Sequence, residues 1–208
     1  AKAFRVFDYF FGKKLFCVYL IVTGMGKMFH KNIELTFCIL TPQSKARSAD
    51  KAIKILIENG LLFNGQPEEI SEYLNIVRFK NRKAQYLVEA REKFYKDGEY
   101  ILKDILKELE DPIEMRKWII KNIKGIGYKE SSHFLRNIGF YKEIAILDRH
   151  ILRNLVYLGV IEEEPKTLTG KKYFEIEEKM KKESDKLGIN MEYLDLVLWY
   201  KEAGEIFK

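Results

Sequence analysis

The residues with the clearest capacity for chemistry lie between Lys117 and Arg153. A Lys124-Gly-Ile-Gly127 turn sits between two amphipathic patterns, Lys129 follows it by two residues, and Asp148 comes 19 residues after that lysine. Glycines at 125 and 127 permit positive φ and close backbone approach. Amide N–H groups of such a turn, aimed outward at the start of a helix, favour a phosphate oxygen. Ile126 between them is suited to plug the gap between the two helices. Lys129 then falls in the first turn of a helix, where the helix dipole and cationic neighbours disfavour an ammonium. Its neutral amine would be a nucleophile. Asp148 ends the apolar run Ile144-Ala-Ile-Leu147 and precedes a helical pattern, the position of an N-cap. A carboxylate fixed there could also stabilise cationic character at a carbon attacked by the amine, and accept protons.

Charge placement points to a polyanion. The chain carries +6 overall, but Lys117–Arg153 holds eight basic residues against three acids, and Arg78–Lys93 six against two. Between them, 96–116 has four basic residues against seven acids. Two basic segments separated by an acidic one suggest a nucleic-acid surface assembled from distant parts of the chain. Two cysteines, Cys17 and Cys38, are too few for a disulfide framework, a four-thiolate zinc site or an iron–sulfur cluster. They fit a reducing compartment. The longest apolar run, Leu15–Val22, is about half the ~20 residues of a spanning helix. Its flanks faintly resemble a signal peptide, against the low cysteine count. Gly24-Met-Gly-Lys27 lacks the spacing of a phosphate loop.

The elements that must position these residues read as helices. The spacing predicts helices over 32–40, 45–58 (stopped by Asn59-Gly60), 67–74, 84–94, 100–109, 112–122 (Asp111 as cap and Pro112 in the first turn), 128–138, 148–158, 171–187 and 191–203. Short helices with tight connections make an all-α pair of domains.

Gly125-Ile-Gly-Tyr-Lys129, the following Glu-Ser-Ser-His133-Phe-Leu-Arg-Asn137 and Ile146-Leu-Asp148-Arg-His150 together resemble the helix-hairpin-helix DNA glycosylases. Among these the chain most resembles the archaeal-type 8-oxoguanine DNA glycosylase/AP lyases, from about Arg78 to the C-terminus. The Asp195-Leu-Val-Leu-Trp199-Tyr200 segment and terminal Lys208 resemble that subgroup's tail. The resemblance implies two helical domains flanking a DNA-binding cleft: a central one over 31–146, with the hairpin motif at about 113–138, and a second formed by 1–30 with 147–208. It implies a bifunctional base-excision-repair enzyme that removes 8-oxoguanine from duplex DNA through a lysine Schiff base and β-elimination.

Residue by residue, Lys129 matches the nucleophile and Asp148 the catalytic carboxylate. Gly125 and Gly127, with Lys124 and Arg149, match the grip on the DNA backbone, often built around a monovalent cation (K+ or Na+). Phe79 and Trp199 match aromatics that sandwich the flipped base. Asp195 and Lys208, the latter through its α-carboxylate, match base recognition, and Gln43 resembles the residue that fills the gap in the duplex. An acceptor facing N7–H would separate 8-oxoguanine from guanine, whose N7 is itself an acceptor. No cofactor is implied. The expected partner is double-stranded DNA carrying an oxidised purine, bound by a monomer in the cytoplasm at the nucleoid and not at a membrane. Two alternatives stay open here: a glycosylase/lyase for oxidised pyrimidines, and a non-catalytic hairpin module that only grips backbone. Residues 1–30 depart from the family's usual helical start, and Thr41-Pro-Gln43 departs from this subgroup's Ala-Asn pattern.

Overall fold

The computed structural model describes residues 26–96 and 99–203. These form helices α1 (Gly26–Leu40), α2 (Ala46–Glu58), α3 (Leu61–Asn64), α4 (Pro67–Tyr73) and α5 (Lys80–Phe94), then strands β1 (Tyr95–Lys96) and β2 (Glu99–Tyr100). Helices α6 (Leu102–Lys107), α7 (Pro112–Asn122), α8 (Tyr128–Asn137), α9 (Arg149–Tyr157), α10 (Gly170–Leu187) and α11 (Met191–Ala203) follow. The all-α expectation holds, with one small exception. β1 and β2 pair antiparallel, with Tyr95 opposite Tyr100 and Lys96 opposite Glu99. The sequence predicts a helix stop at Asp97-Gly98 and a helix from Tyr100. An Asp-Gly pair between two aromatic-bearing segments is also the strongest short hairpin signal, and α6 starts two residues late because of it. The short α3 was not anticipated, and α5 begins at Lys80 rather than Ala84. The run Leu15–Val22, Cys17 and Lys208 lie outside the described residues. No described helix is long and apolar enough to cross a membrane.

Local signals account for the helix ends. Asp111 accepts from the Ile113 N–H at 3.1 Å and Pro112 occupies the first turn. Gly60 and Gly188 terminate α2 and α10 in the left-handed region, at φ 70° and 64°. On α2 the buried residues are Ala49, Ala52, Ile53 and Leu56, the 3–4 spacing of a single face.

Two hydrophobic cores result, and the chain passes from one to the other between Ile144 and Ala145. The first gathers Phe37, Leu56, Leu74, Phe94, Leu102 and Phe134. In it α8 packs against α7 and α1, and α5 against α4 and α1. The second gathers Leu147, Leu155, Tyr173, Met180 and Leu194, with α9 and α10 packed on α11. Helix α1 runs unbroken across the boundary expected at residue 30, and the rest of 1–30 lies outside the described residues.

The cores are joined by a buried polar seam. Arg116 on α7, wholly buried, makes a two-pronged bond to Glu177 on α10 at 2.7 and 2.6 Å. Arg116 Nη1 also donates to Ser132 Oγ on α8 at 3.0 Å. Its guanidinium lies over the rings of Tyr173 and Phe174. The Tyr173 hydroxyl donates to Ala145 O at 2.6 Å, accepts from Leu147 N at 3.2 Å and lies 3.3 Å from Ser132 Oγ. Burial pushes that hydroxyl up and keeps it protonated. Glu177 Oε1 accepts from Ala145 N at 2.7 Å, and Asp195 Oδ2 on α11 from Ile146 N at 3.0 Å. Three successive amides, 145 to 147, are thus held by three side chains of the second core. Removing one partner of such a pair leaves a bare buried charge. Arg116→Met is expected to cost about 3–5 kcal/mol, read from the midpoint of urea unfolding with the slope unchanged.

Candidate active site

The helix-hairpin-helix motif is α7, the turn 123–127, and α8. Its two glycines differ. Gly125 has φ 80°, and a Cβ there would meet the Tyr86 ring at 2.5 Å. That position requires glycine. Gly127, the N-cap of α8, has φ −104° and ψ −168°, an extended backbone that any residue adopts. The expectation that both glycines use positive φ is therefore corrected for Gly127, where a Cβ would meet only the Glu130 side chain, at 3.4 Å. Ile126 is buried in the first core, plugging the motif as expected. Lys93 braces the end of α7, donating to both the main-chain and side-chain oxygens of Asn122 at 3.1 Å. Lys124 is exposed and paired with Glu89 at 3.0 Å, and Arg149, first residue of α9, is exposed. Pairs between such exposed groups are weak.

Lys129 lies in the first turn of α8 with 31% of its side chain exposed. Its surroundings are not purely cationic: Glu130 Oε1 is 3.5 Å from Nζ. Asp148 caps α9, accepting from Ile151 N at 2.9 Å through Oδ1. Its other oxygen accepts from the Trp199 indole N–H at 2.9 Å. Two neutral donors thus fix the carboxylate plane. Trp199 also meets His150 edge-on at 6.1 Å and packs on the second core, so its ring is part-buried.

Lys129 and Asp148 are tied to the same seam. Tyr128, the residue before Lys129, stacks on Tyr173 at 5.5 Å, and Tyr128 O accepts from Ser132 Oγ at 2.9 Å. Tyr173 holds Ala145 and Leu147, the latter directly before Asp148. Sequence reasoning missed Arg116, Tyr173 and Glu177. Glu177 and Arg116 look like ordinary charged positions on helix faces, and only their burial distinguishes them.

The remaining predicted residues fall in different settings. Phe79 is 52% exposed, at φ 59°, and caps α5. The Arg78 guanidinium lies 5.5 Å from its ring centre. Gln43 is exposed at φ 55° in the turn after α1. Asp195 departs from the expectation of a base contact. Its side chain is 1% exposed, with one oxygen on Arg136 and the other on the Ile146 amide. Burial raises its carboxyl above the usual range, against the lowering effect of Arg136 and that amide. The structure makes it a clamp on the extended segment leading to Asp148. Among the described residues no group of three or more His, Cys, Asp or Glu is placed to hold a metal.

A family model described as 8-oxoguanine DNA glycosylase matches residues 24–189, which include every element of the site described so far except Trp199 and Asp195. The chain belongs to the 8-oxoguanine DNA glycosylase family. It is 61% identical over 185 residues to an 8-oxoguanine DNA glycosylase/AP lyase of Fusobacterium nucleatum, covering 89% of this chain and 84% of the relative. It is 40% identical to the protein of that name from Korarchaeum cryptofilum, over 84% and 81% of the two chains. Among solved structures it resembles the Methanocaldococcus jannaschii 8-oxoguanine glycosylase/lyase in complex with a 15mer DNA containing 8-oxoguanine. That match has a TM-score of 0.75 and 35% identity, over 92% of this chain and 89% of that one. Membership of the glycosylase family extends the resemblance beyond the hairpin motif to the whole described fold.

The two hairpin glycines separate in a simple test. Gly125→Ala is expected to lower stability by about 1–3 kcal/mol from left-handed backbone strain plus the clash with Tyr86, and to weaken duplex binding in fluorescence anisotropy. Gly127→Ala should cost under about 1 kcal/mol. Lys83, buried on α5, supplies a pH signature. Burial pulls its amine down to about 8, against the raising effect of Glu130. Between pH 8 and 10.5 the unfolded chain holds the proton that the folded chain has lost, so stability from this group rises with pH across that window. The difference in melting temperature between the wild type and Lys83→Met is expected to shift in favour of the wild type over that interval and to stay flat below it.

Proposed function

We propose that this glycosylase/AP lyase uses Lys129 as nucleophile and Asp148 as the catalytic carboxylate to release 8-oxoguanine from duplex DNA and cut the strand. The observation that carries the reading is the common mounting of the two residues. One begins the helix after the hairpin, the other heads α9, and both are braced by the Tyr173–Ser132–Arg116 seam. The hairpin and the basic flanks hold phosphate. The damaged nucleotide leaves the stack, because its anomeric carbon is out of reach inside the duplex.

Glu130 holds the resting ammonium of Lys129, and the neutral amine is the attacking form. Its lone pair forms the N–C1′ bond as the C1′–N9 bond breaks and the base leaves with that electron pair, taking a proton. The Asp148 carboxylate, fixed by Ile151 N–H and Trp199 N–H, stabilises the cationic sugar. Ring opening gives an iminium. Loss of a C2′ proton then expels the 3′-phosphate oxygen, and water releases the amine. Phe79 and Trp199 offer aromatic faces for the extruded base, and Gln43 fills the gap it leaves. Lys124 and Arg149 contact the backbone with Gly125. A monovalent cation at the hairpin would use main-chain carbonyls of 123–126, hard oxygen donors suited to K+ or Na+, and no step runs through it. The protein works as a monomer on double-stranded DNA.

The decisive measurement is borohydride trapping on 8-oxoguanine duplex. Wild type should give a covalent complex and Lys129→Gln none, while a folded Lys129→Gln that still traps refutes the assignment. Asp148→Asn is expected to lose at least about 100-fold in single-turnover base release with DNA affinity retained, since Asn keeps the cap. A panel including oxidised pyrimidines should show 8-oxoguanine as the preferred lesion.

A further inference from the structure

Two loops of the first core meet at one buried cation. Lys83 is 4% exposed, and its Nζ donates to Leu40 O at 2.6 Å, Pro42 O at 2.8 Å and Ser44 Oγ at 3.0 Å. An ammonium has three N–H donors, and all three are used. Ser44 Oγ in turn accepts from Arg78 N at 2.9 Å. The knot therefore joins the turn after α1 to the turn before α5. Each turn carries one exposed residue with a left-handed backbone: Gln43 at φ 55° and Phe79 at φ 59°. Non-glycine residues there are strained, and the strain persists only where the surroundings over-determine the conformation. Lys83 and Ser44 are those surroundings. The carboxylate that faces the Lys83 amine from α8 is Glu130, the same group that pairs with Lys129.

We propose that Lys83 is a positioning residue for base extrusion: through Leu40 O, Pro42 O and Ser44 Oγ it locks the turn bearing Gln43 to the turn bearing Phe79. The side chain that enters the duplex and the ring that receives the base then move as one rigid unit. Charge-assisted bonds suit that purpose, being shorter and stronger than neutral ones, and a tripod fixes direction as a single bond does not. The inference rests on the reading of Gln43 as gap filler and Phe79 as stacking face. The three Lys83 bonds all go to the end of α1 and the turn after it and none to Lys129, so it acts on extrusion and not on the covalent step.

That division gives a test. Two substrates are compared under single turnover: a duplex with 8-oxoguanine opposite cytosine, and the same duplex with a preformed abasic site, which has no base to extrude. Lys83→Met is expected to slow base release about 10–100-fold, on the order of the loss for misplaced groups, and to leave β-elimination at the abasic site within about threefold. Ser44→Ala, a milder change on a part-exposed turn, should move both rates in the same sense by a smaller factor. Gln43→Ala should reproduce the split, and adding it to Lys83→Met should cause little further loss, because the two act through one contact. Equal loss on both substrates, or no loss on either, in folded Lys83→Met and Ser44→Ala overturns the proposal. Gln43→Ala that leaves base release unchanged while Lys83→Met shows the split refutes the gap-filling role and leaves Lys83 acting through Phe79.

Discussion

Three backbone amides decide where the Asp148 carboxylate sits. The N–H groups of Ala145, Ile146 and Leu147 are accepted in turn by Glu177, Asp195 and Tyr173, side chains from two helices of the second core. Extended chain inside a protein must find partners for its polar groups, and here no neighbouring strand supplies them. Carboxylates and a phenol do so instead. The carboxylates are themselves affordable inside only because Arg116 and Arg136 pair with them. The position of Asp148 is thus a consequence of two buried ion pairs rather than of its own helix cap alone.

The same seam explains why Lys129 and Asp148 can come from different cores and still share one frame. Ser132 and Tyr128 belong to α8, the helix that carries Lys129, and both contact the Tyr173–Arg116 group. A displacement of α7 relative to α10 would break a two-pronged buried bond, one of the costlier losses available to a protein of this size. Rigidity at this junction is a condition for chemistry that depends on placement within fractions of an ångström.

How much of this was legible beforehand depends on the range of the interaction. The hairpin, Lys129, the Asp148 cap and the ends of α2, α7 and α10 follow from local rules about glycine, capping and periodicity. So does the buried plug Ile126. Glu177 and Arg116 were invisible because nothing local marks a charged helix residue as buried. Their partners are 61 residues apart. Asp195 was read for a ligand contact because it stands in a tail motif beside Trp199, whereas Arg136, 59 residues away, already holds it. The Tyr95–Tyr100 pairing was lost because Asp97-Gly98 is equally good punctuation for a helix end and for a hairpin. Phe79 and Gln43 were singled out by resemblance, and their backbone strain belongs to no sequence rule, since neither is a residue that usually adopts positive φ.

The crossing of the cores also bears on how such a chain can change over generations. Arg116 belongs to the first half and Glu177 to the second, and each neutralises a charge the other half could not carry dry. A recombination that swapped one half for that of a distant cousin would strand an ion in oil unless its counterpart travelled with it. The two ends of this ion pair can therefore change only in step with each other.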